Sequence, residues 1–328
     1  MQSHIRGFKG RKIAVWGDHI LDEYIFTKAA RVSREAPVLI TEHESEAFRL
    51  GGAGNVAANI RALGGIPVPV GFVGADQTGD VMRRVLSDSG ISEEGLIQID
   101  GFVTPRKTRI LSGDSHTRRQ QVLRIDRLNR REASEAERSA LLEKLEEIAE
   151  SCDFLVVSDY LRCSVRGEDL ERIRNRVELP PAAIDSRHHL RSFSGMRVAT
   201  PNLPELQRLF PGSDLGIESH FIGAGKELLR ELDARGLLLK RGDEGMVLLE
   251  EGGKPQKIGI YGSREIVDVT GAGDTVIALL ALGLASGTDL YSSARMAAVA
   301  AGLTVMKAGA ATVTPRELND AMKSGNLP

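Results

Sequence analysis

The feature that most constrains the fold of this chain is an alternation of short apolar runs with helical patterns along most of its length. Each run is rich in aliphatic or β-branched residues and ends in a polar or glycine turn, which is typical of a buried strand. The runs are KIAVWG, VPVGFVG, FLVVSDY, AAIDS, RVATPN and LLLKRG. Because strands that alternate with helices build a mainly parallel sheet covered by helices, the sequence predicts an α/β fold.

A stretch between Ser134 and Glu150 has the pattern of an amphipathic helix. Ser134 and Glu137 have the spacing of a capping box, in which each side chain binds the backbone amide of the other residue. Apolar residues then recur on one face, at Leu141, Leu142, Leu145 and Ile148. We expect the charged residues between them to face solvent.

Two segments, residues 22–46 and 97–126, do not follow the strand-helix alternation. The first is rich in β-forming residues and contains Pro37, and the second contains the alternating stretches KTRILSG and RQQVLRID. We expect both to pair as a small antiparallel sheet. No repeat, low-complexity tract or Pro/Gly-rich linker divides the 328 residues. The sequence therefore predicts one α/β domain over residues 1–328, with a β-strand lid formed by these insertions.

Charge and composition restrict the class of partner. The formal net charge is -2 and the sequence pI is about 6.4, so the chain has no global positive field to attract nucleic acid or an anionic membrane. The two cysteines form no metal-ligand pattern and would be a sparse disulfide framework. The apolar stretch from Val276 to Ala285 is too short to cross a bilayer. These observations favour a cytoplasmic protein that binds a small molecule.

The strongest chemical feature is the sequence DVTGAGDT at residues 268–275, which leads directly into the apolar stretch VIALLALGLASG. Glycines at a helix start leave several backbone N–H groups unpaired and accessible, as a phosphoryl group with several negative oxygens requires. Asp274 then lies in the first turn of the predicted helix. The alternative is that the glycines form a tight turn and Asp274 is only a carboxylate favoured near helix N-termini.

A second glycine loop, GGAGNVA at residues 51–57, contains the dinucleotide-binding pattern GxGxxA. That pattern must follow a buried strand, whereas the preceding TEHESEAFRL is polar, so the context argues against a dehydrogenase. A glycine-rich helix start that presents Asn55 to a polyhydroxylated ligand fits better, because an amide both donates and accepts hydrogen bonds. Close packing of a helix on a strand remains an alternative.

Further polar residues follow predicted strands. Asp18 ends the first strand, at the edge where ligands gather in open α/β sheets, although it could equally cap the following turn. Asn202 and Glu205, spaced NxxE after the strand RVAT, could organise water around Mg²⁺. An N-terminal helix cap with a glutamate three residues later is the competing interpretation.

Other catalytic motifs are absent from the sequence. There is no GxSxG elbow and no GxxxxGK[ST] phosphate loop, so hydrolases and P-loop enzymes lack their central residue. The adjacent His188 and His189 would face opposite ways on a strand, and no further ligand stands at metal-binding spacing. We expect both histidines to lie in a solvated loop.

In chain order, GGAGN at 51 to 55, TPN with NxxE at 200 to 205, GxxG at 242 to 245 and DVTGAGD at 268 to 274 resemble the motifs of the ribokinase (PfkB) family of carbohydrate kinases. One glycine loop is weak evidence, but two at opposite ends with the intervening motifs in order are highly specific. Within that family, GDHILDEY, RVSREAPVLI, TPRKTRI and SDY are similar to the kinases of D-glycero-D-manno-heptose 7-phosphate, which make the 1,7-bisphosphate for the lipopolysaccharide core.

The resemblance implies a ribokinase-like α/β/α sandwich with a mainly parallel central sheet and a β-strand lid. It also implies transfer of the γ-phosphoryl group of ATP to a sugar hydroxyl, with Mg²⁺. Asp274 matches the family's base. The anion hole matches Gly271, Ala272 and Gly273, and the Mg²⁺–phosphate element matches Asn202 with Glu205.

Binding residues are also implied by the resemblance. The positions that match sugar contacts or fall near the substrate phosphate are Asp18, Gly52, Asn55, Arg106, Lys107, Arg109, Asp185 and Arg187. The positions on the nucleotide side are Lys240, Gly242, Gly245 and Gly309. A monovalent cation such as K⁺ is implied near Asp268 and Thr270. Related kinases commonly form homodimers through the lid, so the same is expected here.

The chain departs from the heptose kinases in two places. Ser186 and Arg187 follow Asp185 where Pro and Lys are usual, and SDY leads into LRCSV without the usual small or basic residues. Arginine keeps the charge but differs from lysine in reach and geometry. Other sugar or nucleoside kinases of the family, such as those for ribose, fructose 1-phosphate or adenosine, therefore stay as alternatives, as does a regulator without turnover. No nucleotidyltransferase unit follows Pro328, so we expect a stand-alone kinase.

Overall fold

A computed structural model describes residues 2–113, 119–160, 163–262 and 267–323. The strands are β1 (Lys12–Gly17), β2 (His19–Val32), β3 (Leu39–Gly52), β4 (Ile66–Gly74), β5 (Gly95–Ile99), β6 (Arg106–Gly113), β7 (Gln120–Arg127), β8 (Phe154–Asp159), β9 (Ala182–Ser186), β10 (Val198–Ala199), β11 (Gly236–Lys240), β12 (Met246–Glu250) and β13 (Gln256–Ile258). The helices are α1 (Gln2–Arg6), α2 (Ala53–Ala62), α3 (Gln77–Asp88), α4 (Glu135–Ala149), α5 (Gly167–Arg174), α6 (Leu203–Leu209), α7 (Glu218–Glu231), α8 (Ala272–Ala285), α9 (Leu290–Val305) and α10 (Pro315–Lys323).

The main sheet contains nine strands in the order β13-β12-β11-β10-β9-β8-β1-β4-β5. Its strands run parallel from β11 to β5, whereas β12 and β13 are antiparallel additions at one edge. The predicted runs KIAVWG and AAIDS coincide with β1 and β9. RVATPN contributes only the two residues of β10, because the chain turns at Thr200 towards the cap of α6.

Helices cover both faces of the main sheet, and each face has its own apolar core. On one face, α2, α3, α8, α9 and α10 supply the buried side chains that pack against Val15, Val156 and Leu238. On the other, α4, α5 and α7 pack against Ala14, Leu155 and Leu237. Since successive strand residues point to opposite faces, continuous apolar strands are what a sheet buried on both sides requires. The predicted α/β sandwich is thereby confirmed.

The predicted capping box on the helix after Ser134 is present. The Ser134 hydroxyl accepts from the Glu137 backbone amide, and the Glu137 side chain accepts from the Ser134 amide at 2.7 Å. The apolar residues predicted for one face of this helix are all buried. The local pattern was sufficient here because both partners of the cap lie within one helical turn.

A second sheet has four strands in the order β3-β2-β6-β7. The β2–β3 and β6–β7 pairs are antiparallel as predicted, but β2 and β6 run parallel, which the sequence did not predict. β4 and β5 of the main sheet lie between β3 and β6 in the chain. Because β5 is parallel to the other main-sheet strands, β6 starts from the same edge of the main sheet as β2 and runs in the same direction. β5, which begins in front of Ile97, pairs with β4 and belongs to the main sheet. Residues 114–118 of the predicted lid segment and the sequence LR at 161–162 lie outside the described residues.

The carboxyl ends of β1, β8, β9 and β11 lie at one edge of the main sheet, and β2 leaves β1 directly at that edge. The second sheet therefore stands over the edge where ligands bind in open α/β folds. Among the described residues, none of the helices combines the length and apolarity needed to cross a membrane.

Candidate functional site

A polar cavity of about 640 Å³ lies between the carboxyl edge of the main sheet and the second sheet. Most of the site residues predicted from sequence line it, namely Gly52, Lys107, Arg109, Asp185, Arg187, Asn202, Glu205, Lys240, Thr270, Gly271, Gly273 and Asp274. These residues come from positions more than 200 apart in the chain, and the parallel sheet brings them to one edge. We call this space the polar cavity.

Asp274 lies in the first turn of α8 with both carboxylate oxygens engaged. Asn55 donates from Nδ2 to Oδ2 at 2.7 Å, and the Tyr160 hydroxyl donates to Oδ1 at 2.7 Å. Asn55 is itself held by Asn59, whose Nδ2 donates to Asn55 Oδ1 at 3.3 Å. The starts of α2 and α8 are therefore joined through one amide–carboxylate contact. The structure places Asn55 on the carboxylate and not among the residues that line the cavity.

The environment of Asp274 changes its protonation. Burial raises the pKa of its carboxyl from 3.8 to about 6, against the hydrogen bonds from Asn55 and Tyr160, which favour the charged form. The charge of Asp185 raises this pKa further, and that of Lys240 lowers it. A carboxyl with a pKa near 6 is half ionised just below neutral pH, which suits a group that must take up a proton during a reaction.

Gly271 is required for this arrangement by its backbone and by its neighbour. Its φ of +82° lies in the left-handed region that favours glycine, and it caps the start of α8. A Cβ there would lie 2.5 Å from Asn55 Nδ2. A side chain at Gly271 would thus displace the amide that holds Asp274. Gly271 and Gly273 line the polar cavity, whereas Ala272 lines the neighbouring cavity and its amide donates to the Val269 carbonyl at 3.3 Å. The start of α8 is a potential anion site.

Tyr160 follows β8 and was not singled out as a site residue from its sequence position. Its backbone amide donates to Asp18 Oδ2 at 2.8 Å, while its hydroxyl reaches Asp274. Arg187 and Lys107 stand over its ring at 4.6 and 5.5 Å from the centroid. Burial, and then the charge of Asp274, raises the pKa of the Tyr160 hydroxyl well above its ordinary value. Tyr160 therefore remains a hydrogen-bond donor at any physiological pH. The signal that could have found it is the polar ending of the strand run FLVVSDY.

Asp18 is buried and does not line the cavity. Its carboxylate accepts from the backbone amides of Tyr160 at 2.8 Å and Ser164 at 2.9 Å. Asp18 therefore caps the distant segment after β8, and neither of these contacts is to the turn that follows Asp18 itself. Asp18 fixes the segment that carries Tyr160, so it shapes the cavity wall from behind.

The basic residues on β6 are divided between its two faces. Lys107 and Arg109 line the polar cavity, and Arg109 Nη1 contacts Asp22 Oδ1 at 2.6 Å. Arg106 points to the opposite face, where its Nε lies 3.6 Å from Glu23. This division follows from the alternation of side chains along a strand. The structure therefore separates Arg106 from the two cations with which it was grouped by sequence. Burial lowers the pKa of Lys107, and the charge of Asp22 partly opposes this.

An ion pair and a capping box form the floor of the cavity. Lys240 Nζ lies 3.0 Å from Asp185 Oδ1, and both side chains are only 15% exposed. Asn202 and Glu205 form the reciprocal capping box at the start of α6 that was one of the two interpretations. Glu205 also faces the cavity, and burial together with the Asp185 charge raises the pKa of its carboxyl.

The residues of the polar cavity could hold Mg²⁺ if a bound phosphate supplied part of its coordination. In the described part of the chain no three or more His, Cys, Asp or Glu side chains converge as a metal site. Mg²⁺ keeps several waters and is usually held by one or two carboxylates together with substrate phosphates. Asp185 and Glu205 at the cavity floor provide such a carboxylate pair.

A second cavity of about 600 Å³ lies beside the first and is lined mainly by small and apolar residues. Gly242 and Gly245 form one wall, with Ala301 and Gly302 of α9 opposite. We call this space the apolar cavity. Its size and lining suit a flat apolar ring system. Lys240, Val269 and Gly273 line both cavities, so the two spaces meet at the start of α8.

Asp268 joins two loops and does not line either cavity. Its Oδ1 accepts from the Thr270 amide at 2.9 Å and its Oδ2 from the Gly309 amide at 3.0 Å. Gly309, predicted for the nucleotide side, lies against the Tyr24 ring instead, and the next amide, Ala310, donates to the Tyr24 hydroxyl at 3.2 Å. α9 lines the apolar cavity, but it ends at Val305, before Gly309 is reached.

Comparison with known protein families gives one model that matches residues 11–317, described as the pfkB family carbohydrate kinase. Among curated relatives, the bifunctional protein HldE of Geobacter sulfurreducens is 36% identical over 308 residues, which is 93% of this chain and 61% of that protein. Bifunctional protein HldE of Halorhodospira halophila is 35% identical over 333 residues, covering 100% of this chain and 67% of that protein.

Solved structures share the fold. The phosphofructokinase-2 of Escherichia coli in complex with fructose-6-phosphate superposes with a TM-score of 0.76 at 18% identity, over 95% of this chain and 98% of that one. The ribokinase of Arabidopsis thaliana complexed with ribose and ATP gives a TM-score of 0.71 at 19% identity, over 96% of this chain and 99% of that one. The predicted ribokinase-like architecture is confirmed by these similarities.

Proposed function

The chain belongs to the pfkB family of carbohydrate kinases, and from that premise we propose that it transfers the γ-phosphoryl group of ATP to a hydroxyl of D-glycero-D-manno-heptose 7-phosphate, giving the 1,7-bisphosphate. It is a phosphotransferase that acts on a sugar hydroxyl. The observation that carries the proposal is a buried carboxylate, Asp274, at the meeting point of a polar cavity lined by charged residues and an apolar cavity.

The chemistry that these residues support is in-line phosphoryl transfer. In such reactions the protein mainly positions the reactants and neutralises charge. Asp274 would accept the proton of the attacking sugar hydroxyl, and the backbone amides at Gly271, Ala272 and Gly273 would hold the transferring phosphoryl oxygens. Adenine would occupy the apolar cavity, so the phosphates would extend past Gly273 towards Asp274.

Metal ions have defined places in the proposal. Mg²⁺ supplies charge neutralisation between the phosphates when bound, and Asp185 with Glu205 would hold its waters. Lys240, which now pairs with Asp185, would lie beside the phosphates. A monovalent cation would bind near Asp268 and Thr270. In support, the Escherichia coli phosphofructokinase-2 structure at 18% identity has also been solved in complex with potassium.

The phosphorylated sugar is supported by the charge of the polar cavity. Its lining holds as many carboxylates as lysine and arginine side chains, and Arg109, Arg124 and Lys240 are paired with Asp22, Asp126 and Asp185. Lys107, Arg187 and Arg208 line the same cavity and add positive charge that a neutral sugar does not require. Arginine and lysine are the usual partners of phosphate oxygens. The heptose itself rests on the sequence motifs shared with heptose kinases, and the relatives named bifunctional protein HldE agree with it.

An ATP-consumption screen tests the proposal. The purified protein would be mixed with ATP, Mg²⁺ and, in separate reactions, heptose 7-phosphate, free heptose, fructose 1-phosphate, ribose and adenosine. We expect heptose 7-phosphate to give the highest kcat/KM. A better reaction with ribose or adenosine would contradict the heptose and leave the family chemistry intact. Absence of transfer to any sugar would favour a regulator without turnover.

We also propose a cytoplasmic homodimer of single-domain subunits joined through the second sheet. Several apolar side chains on its strands are about half exposed or more, among them Val32, Leu39, Leu123 and Ile125. An exposed apolar sheet face of this kind is usually covered by a partner. Both cysteines are free thiols, which fits a reducing compartment. Sedimentation should give a dimer at micromolar concentration, and a monomer would contradict the assembly.

A further inference from the structure

The Tyr160 hydroxyl occupies Asp274 Oδ1, the cavity-facing acceptor that a substrate hydroxyl needs. We propose that Tyr160 is a positioning residue that fills the place of the sugar hydroxyl until the sugar arrives, and so prevents Asp274 from activating water for ATP hydrolysis. This inference rests on the proposed phosphoryl transfer but not on which sugar accepts the phosphoryl group.

The two oxygens of Asp274 are not equivalent. Oδ2 accepts from Asn55, whose side chain is buried and held by the start of α2. Oδ1 accepts from Tyr160, which lines the polar cavity. An incoming hydroxyl must come within about 2.6–3.2 Å of a carboxylate oxygen to pass on its proton. Approach from the cavity leads to Oδ1, so the sugar hydroxyl and the Tyr160 hydroxyl compete for the same atom.

Water would be a competent substitute for the sugar if that atom were open. The water oxygen would bond to the γ-phosphorus while the bond from that phosphorus to the bridging β,γ-oxygen breaks. ADP would leave with the electron pair, and the water proton would pass to Asp274. The products would be ADP and inorganic phosphate. A kinase whose base is open to water in the absence of sugar therefore hydrolyses ATP, and Tyr160 stands where that water would bind.

The groups around Tyr160 link its release to an anionic ligand. Its backbone is fixed by Asp18, so displacement must occur through side-chain rotation. Lys107 and Arg187 stand over its ring, and both also line the cavity that would receive the sugar phosphate. A phosphate draws these two cations towards itself. The cation–π contacts of Lys107 and Arg187 with the Tyr160 ring therefore weaken when the phosphorylated sugar binds.

Other charged groups bear on the same atoms. Asp185 faces Asp274 and Tyr160 from the end of β9, and Lys240 faces Asp274 from the end of β11. These two form an ion pair with each other and contact neither the Tyr160 hydroxyl nor Oδ1 by a hydrogen bond. Replacement of the Tyr160 hydroxyl by hydrogen therefore opens Oδ1 without removing a charge.

The test is ATP hydrolysis without sugar by the Tyr160→Phe protein. In the wild-type protein, water must displace a hydrogen bond to a charged group, worth about 1.5–3 kcal/mol, so we expect hydrolysis to rise roughly 10- to 100-fold in the variant. The KM for the sugar should stay within about twofold or fall, because the sugar hydroxyl no longer competes with Tyr160 for Oδ1. A general loss of structure would instead raise this KM. Tyr291→Phe on α9, outside both cavities, is the matched control and should leave hydrolysis unchanged.

The double variant Tyr160→Phe/Asp274→Asn separates this inference from its alternatives. If Asp274 activates the water, the added hydrolysis disappears in the double variant. Unchanged hydrolysis in Tyr160→Phe, or a rise that persists without Asp274, would overturn the inference. Should Tyr160→Phe fail to fold, Tyr160→Leu is measured in the same way. If no sugar accepts a phosphoryl group from the wild-type protein, the proposed function fails, and that result is independent of the hydrolysis comparison.

Discussion

The polar and the apolar cavity lie side by side and share Lys240, Val269 and Gly273, yet they are built on different principles. The polar cavity is organised by charged pairs such as Asp22 with Arg109 and Asp185 with Lys240. The apolar cavity is formed by the absence of side chains, with glycine and alanine lining much of it. The first selects a ligand by charge and hydrogen bonding, and the second selects by shape.

The two cavities should therefore tolerate different substitutions. In the polar cavity, a change of charge at constant size should have a large effect, because partly buried charges are coupled strongly to their partners. In the apolar cavity, added volume should matter more than polarity, since the space itself is the binding element. The following changes test that division, in order of decreasing effect.

Asp274→Asn should lower kcat for sugar phosphorylation by about two to four orders of magnitude, the usual contribution of a positioned general base. The amide keeps the size of the side chain, and the lost proton acceptor is needed only in the transition state, so KM should change little. Steady-state kinetics with both substrates varied would measure this.

Asp289→Asn is the matched control for that variant. Asp289 is also a carboxylate at a helix start, where it caps α9 by accepting from the Ser292 amide at 2.8 Å. Asparagine caps helices as well as aspartate does, so kcat should stay within about twofold. If the Asp274 variant retained more than about a third of wild-type kcat with chemistry rate-limiting, Asp274 would be a helix-start carboxylate and nothing more.

Lys107→Met should lower kcat/KM for the phosphorylated sugar by about 10- to 100-fold, because a hydrogen bond to a charged group contributes about 1.5–3 kcal/mol. Arg106→Met on the same strand is the control, and its effect should be within about threefold, since Arg106 faces away from the cavity. Equal losses in both variants would show that the alternation along β6 does not decide phosphate recognition.

Ala301→Leu should raise the KM for ATP about tenfold and leave the KM for the sugar unchanged. Ala301 lines the apolar cavity from α9, and the larger side chain would occupy space proposed for adenine at a cost of about 1–3 kcal/mol. Ala301→Ser, which changes polarity but little volume, should stay within about twofold. A larger effect from serine than from leucine would contradict selection by shape.

The pH dependence of kcat/KM should report the Asp274 carboxyl. Since burial raises its pKa to about 6 and the base must be ionised to act, activity is present above that pH and is lost as the pH falls through it. We expect about half of the plateau value at pH 6 and about a tenth at pH 5. An acid limb near the ordinary aspartate value would mean that Asp274 is better solvated than its burial indicates.

The sequence predicted the local elements of the fold better than the way in which they pair. The strands, the capping box at Ser134 and the two glycine loops follow from patterns within ten or so residues, and local patterns were sufficient for them. The parallel pairing of β2 with β6 depends on how the intervening main-sheet strands route the chain, which no local pattern records.

The residues of the site were easier to predict from the sequence than the contacts between them. Asn55 and Asp274 were each singled out, but their hydrogen bond joins residues 219 positions apart. Tyr160 was missed as a site residue because a tyrosine after a buried strand is common, and its partner Asp274 is 114 positions away. Arg106 was grouped with Lys107 by charge, whereas strand alternation, already implied by the TPRKTRI sequence, would have placed them on opposite faces.

The proposed phosphoryl transfer is tested most directly by following the γ-phosphoryl group itself. Wild-type protein is incubated with γ-labelled ATP, Mg²⁺ and heptose 7-phosphate, and the products are separated by mass. We expect label in a heptose bisphosphate, little label in inorganic phosphate, and almost none transferred in the same time by the Asp274→Asn protein. Label found chiefly in inorganic phosphate, or transferred equally by both proteins, would contradict the proposed transfer.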